Sequence, residues 1–422
     1  MKRISLSILA VAAGLSFACT NPSVTPDPDP IVTPEPEKPE EKPEEKPEEP
    51  QKPEPVRIGL PQIHVSSPIP IEHKSTWVEG ASAFMVSEYG DTTQLGTLKI
   101  KLRGNSTRWY VKKSYNFKLE TKAEILGMDD NKSWCLLAQW MDRTLLRNDV
   151  AFQIAKRTKG LSWTPGGDFV EMYLNEEHQG NYYLCEKIKI GKHRVNISEQ
   201  GGYILELDSY FDEDYKFYSQ YKSLPVMVKE PDPEDMTDEL FKRIKNEFNS
   251  AEAALRKISS GDKSFMDLVD IDSFIDFYFV QELSMNAEPN HPKSCYMYHD
   301  ATGKFFAGPA WDFDWYTFVP DYSLGWINYN NLWYGYLFQS PEFKARMKEK
   351  WEEEKGGFAT IKDYITEKAD LIRESALVNC KMWPIDQWVN GDENKPWDQA
   401  VSRLKDSYGA RYNKVDQLVN SL

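Results

Sequence analysis

Gly308-Pro309-Ala310-Trp311-Asp312-Phe313-Asp314-Trp315 is the stretch around which the chain is organised. Tyr296 to Phe306 precedes it and reads as a strand, a turn at Thr302-Gly303 and a returning strand. In extended backbone, residues two apart point to the same side, so Asp312 and Asp314 are expected to face one way and Phe313 the other. Two carboxylates on one side repel unless a positive charge lies between them. The usual counter-charge is a hard divalent cation such as Mg²⁺, often with bound phosphate. The blander alternative is a pair of solvated acids at a strand end. Trp311, Phe313, Trp315 and Tyr316 around the pair argue against simple solvation.

The chain has 422 residues, enough for one large domain or two smaller ones. Its 66 acidic and 51 basic side chains give a net charge of −15, which argues against a general nucleic-acid binder. The six His show no H-x-H or H-x-x-x-H spacing and C-x-x-C is absent, so a zinc site is not expected. Residues 1–18 read as a secretory signal: Lys2 and Arg3, then an apolar core too short to span a bilayer. The core ends Ala18-Cys19, which resembles a bacterial lipoprotein signal; that resemblance implies a lipidated Cys19 and an exported, membrane-anchored protein of the bacterial cell envelope. Residues 20–56 hold 12 of the 26 prolines, with 4 Lys and 11 acids, and cannot bury a core. With Cys19 they read as a spacer, 19–56, ahead of a globular body at 57–422. The compartment permits disulfides among Cys135, Cys185, Cys295 and Cys380. Cys185 and Cys295 sit in apolar strand patterns, which favours buried free thiols there.

Within the body, Thr97 to Arg103 alternates apolar and basic residues, as a half-buried strand does. It ends in Gly104-Asn105-Ser106-Thr107, and Tyr115 to Leu119 alternates again, with Lys118 on the face away from Phe117. Such a turn with nearby cations suits an anion, although charges on an edge strand are often only solvated. Asp142 to Lys159 reads as a helix with Asp142 as its N-cap. Phe169 to Leu174 and Asn181 to Ile188 form a hairpin. Its second strand places Glu186 on one face with Tyr182 and Leu184, so the acid needs a partner, either Lys118 or a metal. Strands at 202–207 and 226–229 follow. Helices are expected from 235, at 271–285 with a central position, and at about 340–355, 359–378 and 395–420, the first of these started by Ser340-Pro341. The plan is α+β and two-lobed, strand-rich first and helical second.

Arg103-Gly104-Asn105-Ser106-Thr107, Tyr115-x-Phe117-Lys118-Leu119, Leu146-Arg147-Asn148, Gly180-x-Tyr182-x-Leu184-x-Glu186 and Trp311-Asp312-Phe313-Asp314 occur in this order. Together they resemble the spore-coat CotH kinase-like family over roughly residues 60–340. The resemblance implies a divergent protein-kinase-like fold and ATP-dependent phosphorylation of protein Ser or Thr. Phosphoryl transfer needs metal ligands, cations on the phosphates and a base near the hydroxyl. On that basis Asp312 and Asp314 hold Mg²⁺ or Mn²⁺, and Arg103, Asn105 and Lys118 serve the nucleotide. Glu186 orients Lys118, Asn286 and Glu288 occupy the catalytic-loop position, and Asp312 joins them as a catalytic residue, much as the Asp of a kinase Asp-Phe-Gly motif does. Family members often carry Asn-x-Asp where this chain has Asn286-Ala287-Glu288, whose extra methylene moves the carboxylate by about an ångström. A binding lipoprotein is the rival reading, with Trp326, Tyr329, Trp333, Tyr334 and Tyr336 as a platform for sugar rings or partner proteins. A pseudokinase scaffold is the third.

Overall fold

Alternating strands in the first half of the chain roll into a barrel, because each has one largely apolar face to bury. The computed structural model describes residues 59–301, 303–319, 325–385 and 390–422. All of them lie in one compact unit, Pro55–Leu422. The expected signal, spacer and Cys19 lie outside the described residues.

Strands β1 (Gln62–Ser66), β2 (Val78–Val86), β3 (Thr92–Leu102), β4 (Tyr115–Ile125) and β5 (Met128–Leu137) lead to helix α1 (Arg147–Lys156). Then come β6 (Gly167–Leu174) and β7 (Glu177–Glu186). The closed barrel runs β1-β2-β3-β4-β5-β7-β6, with β6 returning parallel to β1. Ile63, Leu98, Phe117, Trp134, Val170 and Leu184 fill its interior. The β6–β7 hairpin turns on Asn175 and Glu176, both with positive φ, tighter than the 175–180 turn expected.

A second sheet has the order β12-β11-β8-β10-β9. It is built from β8 (Tyr203–Leu207), β9 (Lys216–Tyr218), β10 (Pro225–Glu230), β11 (Cys295–His299) and β12 (Phe305–Ala307). Helices α2 (Asp238–Leu255) and α3 (Ile271–Leu283) lie between its strands in sequence. The helix expected from 271 is indeed central: Ser273 through Leu283 is entirely buried, against α1, α5 and α7. The chain closes with α4 (Tyr334–Leu337), α5 (Pro341–Ala359), α6 (Ile361–Met382) and α7 (Trp397–Asn420). Ser340 caps α5, accepting from Phe343 N at 3.2 Å, with Pro341 at the first position.

The fold is thus mixed α+β, a strand-rich barrel followed by a sheet and a helical second half. One expectation needs correction. Helix α1 starts at Arg147, not at Asp142. The Asp142 carboxylate instead accepts from Thr144 N and Arg147 N and pairs with the Arg147 guanidinium, forming a turn that ends where the helix begins. Cys135, Cys185 and Cys295 are buried free thiols and Cys380 is half-buried and free. Among the described residues, no helix is long and apolar enough to cross a membrane.

Candidate functional site

The barrel's inward residues are apolar, so the alternate residues of β3, β4, β5 and β7 face outward. Lys101 is paired with Asn116, Asn116 with Cys135, and Cys135 with Cys185 across these four strands. Lys101, Arg103, Asn116, Cys135 and Lys187 form one wall of a cleft of about 730 Å³. The second sheet and the loops after α3 and β12 form the other wall, with Glu206, Asp208, Glu288, Asp312 and Asp314. The cleft is therefore polarised in part: the barrel wall carries cations, and the opposite wall carries mostly carboxylates, with Lys229 and Lys293 among them.

The acids are set by local backbone rather than by strand pleat. β12 ends at Ala307, and Asp312 takes a left-handed conformation with φ +68°, so the expected extended geometry at 312–314 is absent. Both carboxylates still line the cleft, because Phe313 between them is pinned on the other side. Phe313 is fully buried edge-on to Phe152, and its N–H donates to Asn148 Oδ1 at 2.7 Å. Trp311 stacks on Phe152 and carries the Arg103 guanidinium over its ring at 4.7 Å. Asp312 Oδ2 accepts from Ser294 Oγ at 3.0 Å.

Burial, reinforced by crowding of like charge, sets the electrostatics. Burial, then Asp312, then Asp142 push the Asp314 carboxyl up to about 7. Glu288, at 7 % exposure, is pushed up to about 9 by burial and by Asp312 and Asp314. Asp208 is raised to about 6 by burial and by Glu206. An acidic wall of this kind is short of positive charge, which is what a divalent cation supplies. No three His, Cys, Asp or Glu side chains among the described residues stand close enough to ligate one ion. A site of two carboxylates completed by phosphate oxygens and water is the usual form for Mg²⁺, and Asp312 with Asp314 fits that form.

The expected site residues divide. Arg103, Asn105, Glu288, Asp312 and Asp314 all line the cleft. Three do not. Glu186 does not orient Lys118: its carboxylate pairs with Arg194 and accepts from Gly166 N at 2.7 Å, because the end of β7 meets the 187–195 loop there. Lys118 lies on the outer face of β4 opposite Lys99 and Ser133, outside the cleft lining. Asn286 is buried and turned inward; its Oδ1 accepts from Glu288 N at 3.0 Å and its carbonyl from Asn328 Nδ2. It shapes the loop that presents Glu288 rather than touching the cleft. The sequence reading missed Lys74, Asp208, Lys293, Ser294 and Lys187. Of these, Lys187 had a signal, since it lies two residues past Cys185 on the outward face.

The aromatic cluster expected to be exposed is mostly core. Trp333 and Tyr334 are buried and Trp326 and Tyr336 pack against the core, leaving Tyr329 at 38 % exposure. Trp333 stacks on Phe274 of α3.

The fold and site define a mixed α+β protein with one polarised cleft suited to an anionic ligand and a cation together. The family model of the CotH kinase protein matches residues 100–415, and the chain belongs to that family. The match reaches well beyond the motifs, through the C-terminal helices. Membership suggests a kinase-like function, and with it ATP and a divalent metal. No curated protein matches the chain.

Proposed function

We propose that the chain is an atypical, metal-dependent protein kinase on a divergent kinase-like fold. It transfers the γ-phosphoryl group of ATP to a Ser or Thr hydroxyl of an exported protein. The observation that carries this reading is the polarity of the cleft, with Lys101 and Arg103 facing Glu288, Asp312 and Asp314. The barrel cations suit the phosphates, and Asp312 and Asp314 suit Mg²⁺ or Mn²⁺. An ion held by Asp312 and Asp314 would supply charge neutralisation to the phosphates. Glu288 suits the base: it accepts the hydroxyl proton as the new O–P bond forms and the bond to the β-phosphate bridge breaks. Burial first, and then the charges of Asp312 and Asp314, favour the protonated form of Glu288. Positive charge taken up by those two acids acts the other way.

A thermal-shift titration with ATP, with and without Mg²⁺ or Mn²⁺, tests the reading. An upward shift that needs both is expected, followed by transfer of radiolabelled γ-phosphate to protein. Absence of any nucleotide response sinks the proposal. A shift without transfer would leave a non-catalytic scaffold. We further propose that Cys19 carries a lipid and tethers the protein to a membrane of the cell envelope, as its place after an apolar signal core suggests. Cys19→Ala should release the protein from the membrane fraction.

A further inference from the structure

We infer that Lys187, one step past the end of β7, is the residue that grips the phosphate chain of the ligand in the cleft. The inference rests on the kinase-like reading above and assigns the cation that Lys118 does not provide.

Lys187 follows the outward row of β7, in which Cys185 faces Cys135 directly. It lines the cleft together with Lys101 and Arg103. Among the described residues its ammonium forms no ion pair and no hydrogen bond, and the nearest favourable charges, the Cys135 thiol and Glu230, act on it only at longer range. Its neighbours are otherwise engaged. Glu230 pairs with Lys189 at 3.0 Å, and Glu206 pairs with Lys229 at 3.1 Å. Glu186, adjacent in sequence, points the other way into its Arg194 pair. Burial lowers the ammonium's pKa, Cys135 and Glu230 oppose that shift in part, and Lys189 and Lys229 add to it. A half-buried cation with like-charged neighbours, whose nearest carboxylate is already paired with Lys189, is stabilised when an anion completes it. The other barrel cations are partly engaged: Lys101 lies over Trp77 at 4.6 Å and Arg103 over Trp311. Lysine acts as a compact point charge on a flexible stem and so suits a phosphate chain that shifts during transfer.

The backbone behind Lys187 is fixed. Glu186 accepts from Gly166 N, and Trp134 faces it across β5. The ammonium is thus delivered to the cleft from a rigid strand end, an arrangement that limits the ordering needed on binding.

The test uses the full chain with Lys187→Met, Lys187→Arg and Lys118→Met, and two probes, ATP with Mg²⁺ and inorganic tripolyphosphate. Affinity for both probes should fall at least tenfold in Lys187→Met, while the apo melting temperature stays equal or rises, since an uncompensated charge is removed. Lys187→Arg, which keeps the charge, should retain a measurable response. Wild-type affinity in Lys187→Met, or a larger loss in Lys118→Met, overturns the assignment while leaving the kinase-like reading intact. Lys187-dependent binding of tripolyphosphate without any preference for ATP upholds the anion site and removes the nucleotide reading instead.

Discussion

Asp312 sits where charge, backbone and metal chemistry meet. Its φ of +68° is a conformation that Asp and Asn tolerate better than other non-glycine residues. Asn in its place keeps the shape and can still accept from Ser294 Oγ. It removes one of the charges that raise Glu288 and Asp314. Asp312→Asn should therefore leave the apo melting temperature equal or higher and abolish the metal-dependent shift with ATP. An Asp held in a structural ion pair would give the opposite, a loss of apo stability. Differential scanning fluorimetry with and without ATP and Mg²⁺ reads both outcomes.

At the scale of elements, α1 holds the acidic loop in place. Asn148 in its first turn receives the Phe313 N–H, and the buried Arg147 donates to the Thr317 carbonyl at 3.0 Å and pairs with Asp392. The Leu146-Arg147-Asn148 motif is thus a clamp on the backbone around Asp312 and Asp314, reached across more than 160 residues of chain. Asn148→Ala leaves a buried N–H without a partner, which costs about 1–3 kcal/mol. It should lower stability in urea denaturation by that amount, and nucleotide binding should weaken with it because the two acids lose their registration. Unchanged stability would show that Phe313 N finds another acceptor.

For the whole molecule, α7 supports the central helix. Arg411 donates to the Glu282 carbonyl at 2.9 Å and pairs with its carboxylate, both groups being buried. Glu282 lies at the end of α3, just before the loop that presents Glu288. Breaking a buried pair on one side costs about 3–5 kcal/mol, so Arg411→Met should strongly destabilise the protein, as guanidinium denaturation would measure. Both residues lie within the family match, which runs to residue 415 although the quoted motifs stop at Asp314.

The pH response belongs to the same scale. The folded-state pKa of Glu288, about 9, lies above its ordinary value of 4.5. Between these values the native protein binds the extra proton, so this group's contribution to apo stability falls as pH rises through that window. Wild type should lose more melting temperature between pH 6 and pH 9 than Glu288→Gln, and Mg²⁺ with ATP should reduce the difference. Parallel pH profiles for the two proteins would show that Glu288 is not buried among like charges.

The sequence by itself determined most of the elements. Alternation of apolar and polar residues marked β3, β4, β7, β8 and β10, and apolar runs at helical spacing marked α2, α3 and the last three helices. These patterns are local, because each element must bury one face whatever its neighbours are. The order of motifs also sufficed to name the family. Barrel closure by the parallel β1–β6 pairing was not legible, since pairing partners distant in sequence leave no local signature. Nor were the contacts of single side chains. Glu186 met Arg194 rather than Lys118, Asn286 turned inward, and Trp333 and Tyr334 became core. Only the tertiary structure decided these, because a side chain's partner depends on which surfaces the packed elements bring within a few ångströms. For the same reason the cleft's cationic wall runs through Lys187, whose strand alternation marks the face it takes but not the cleft that face lines.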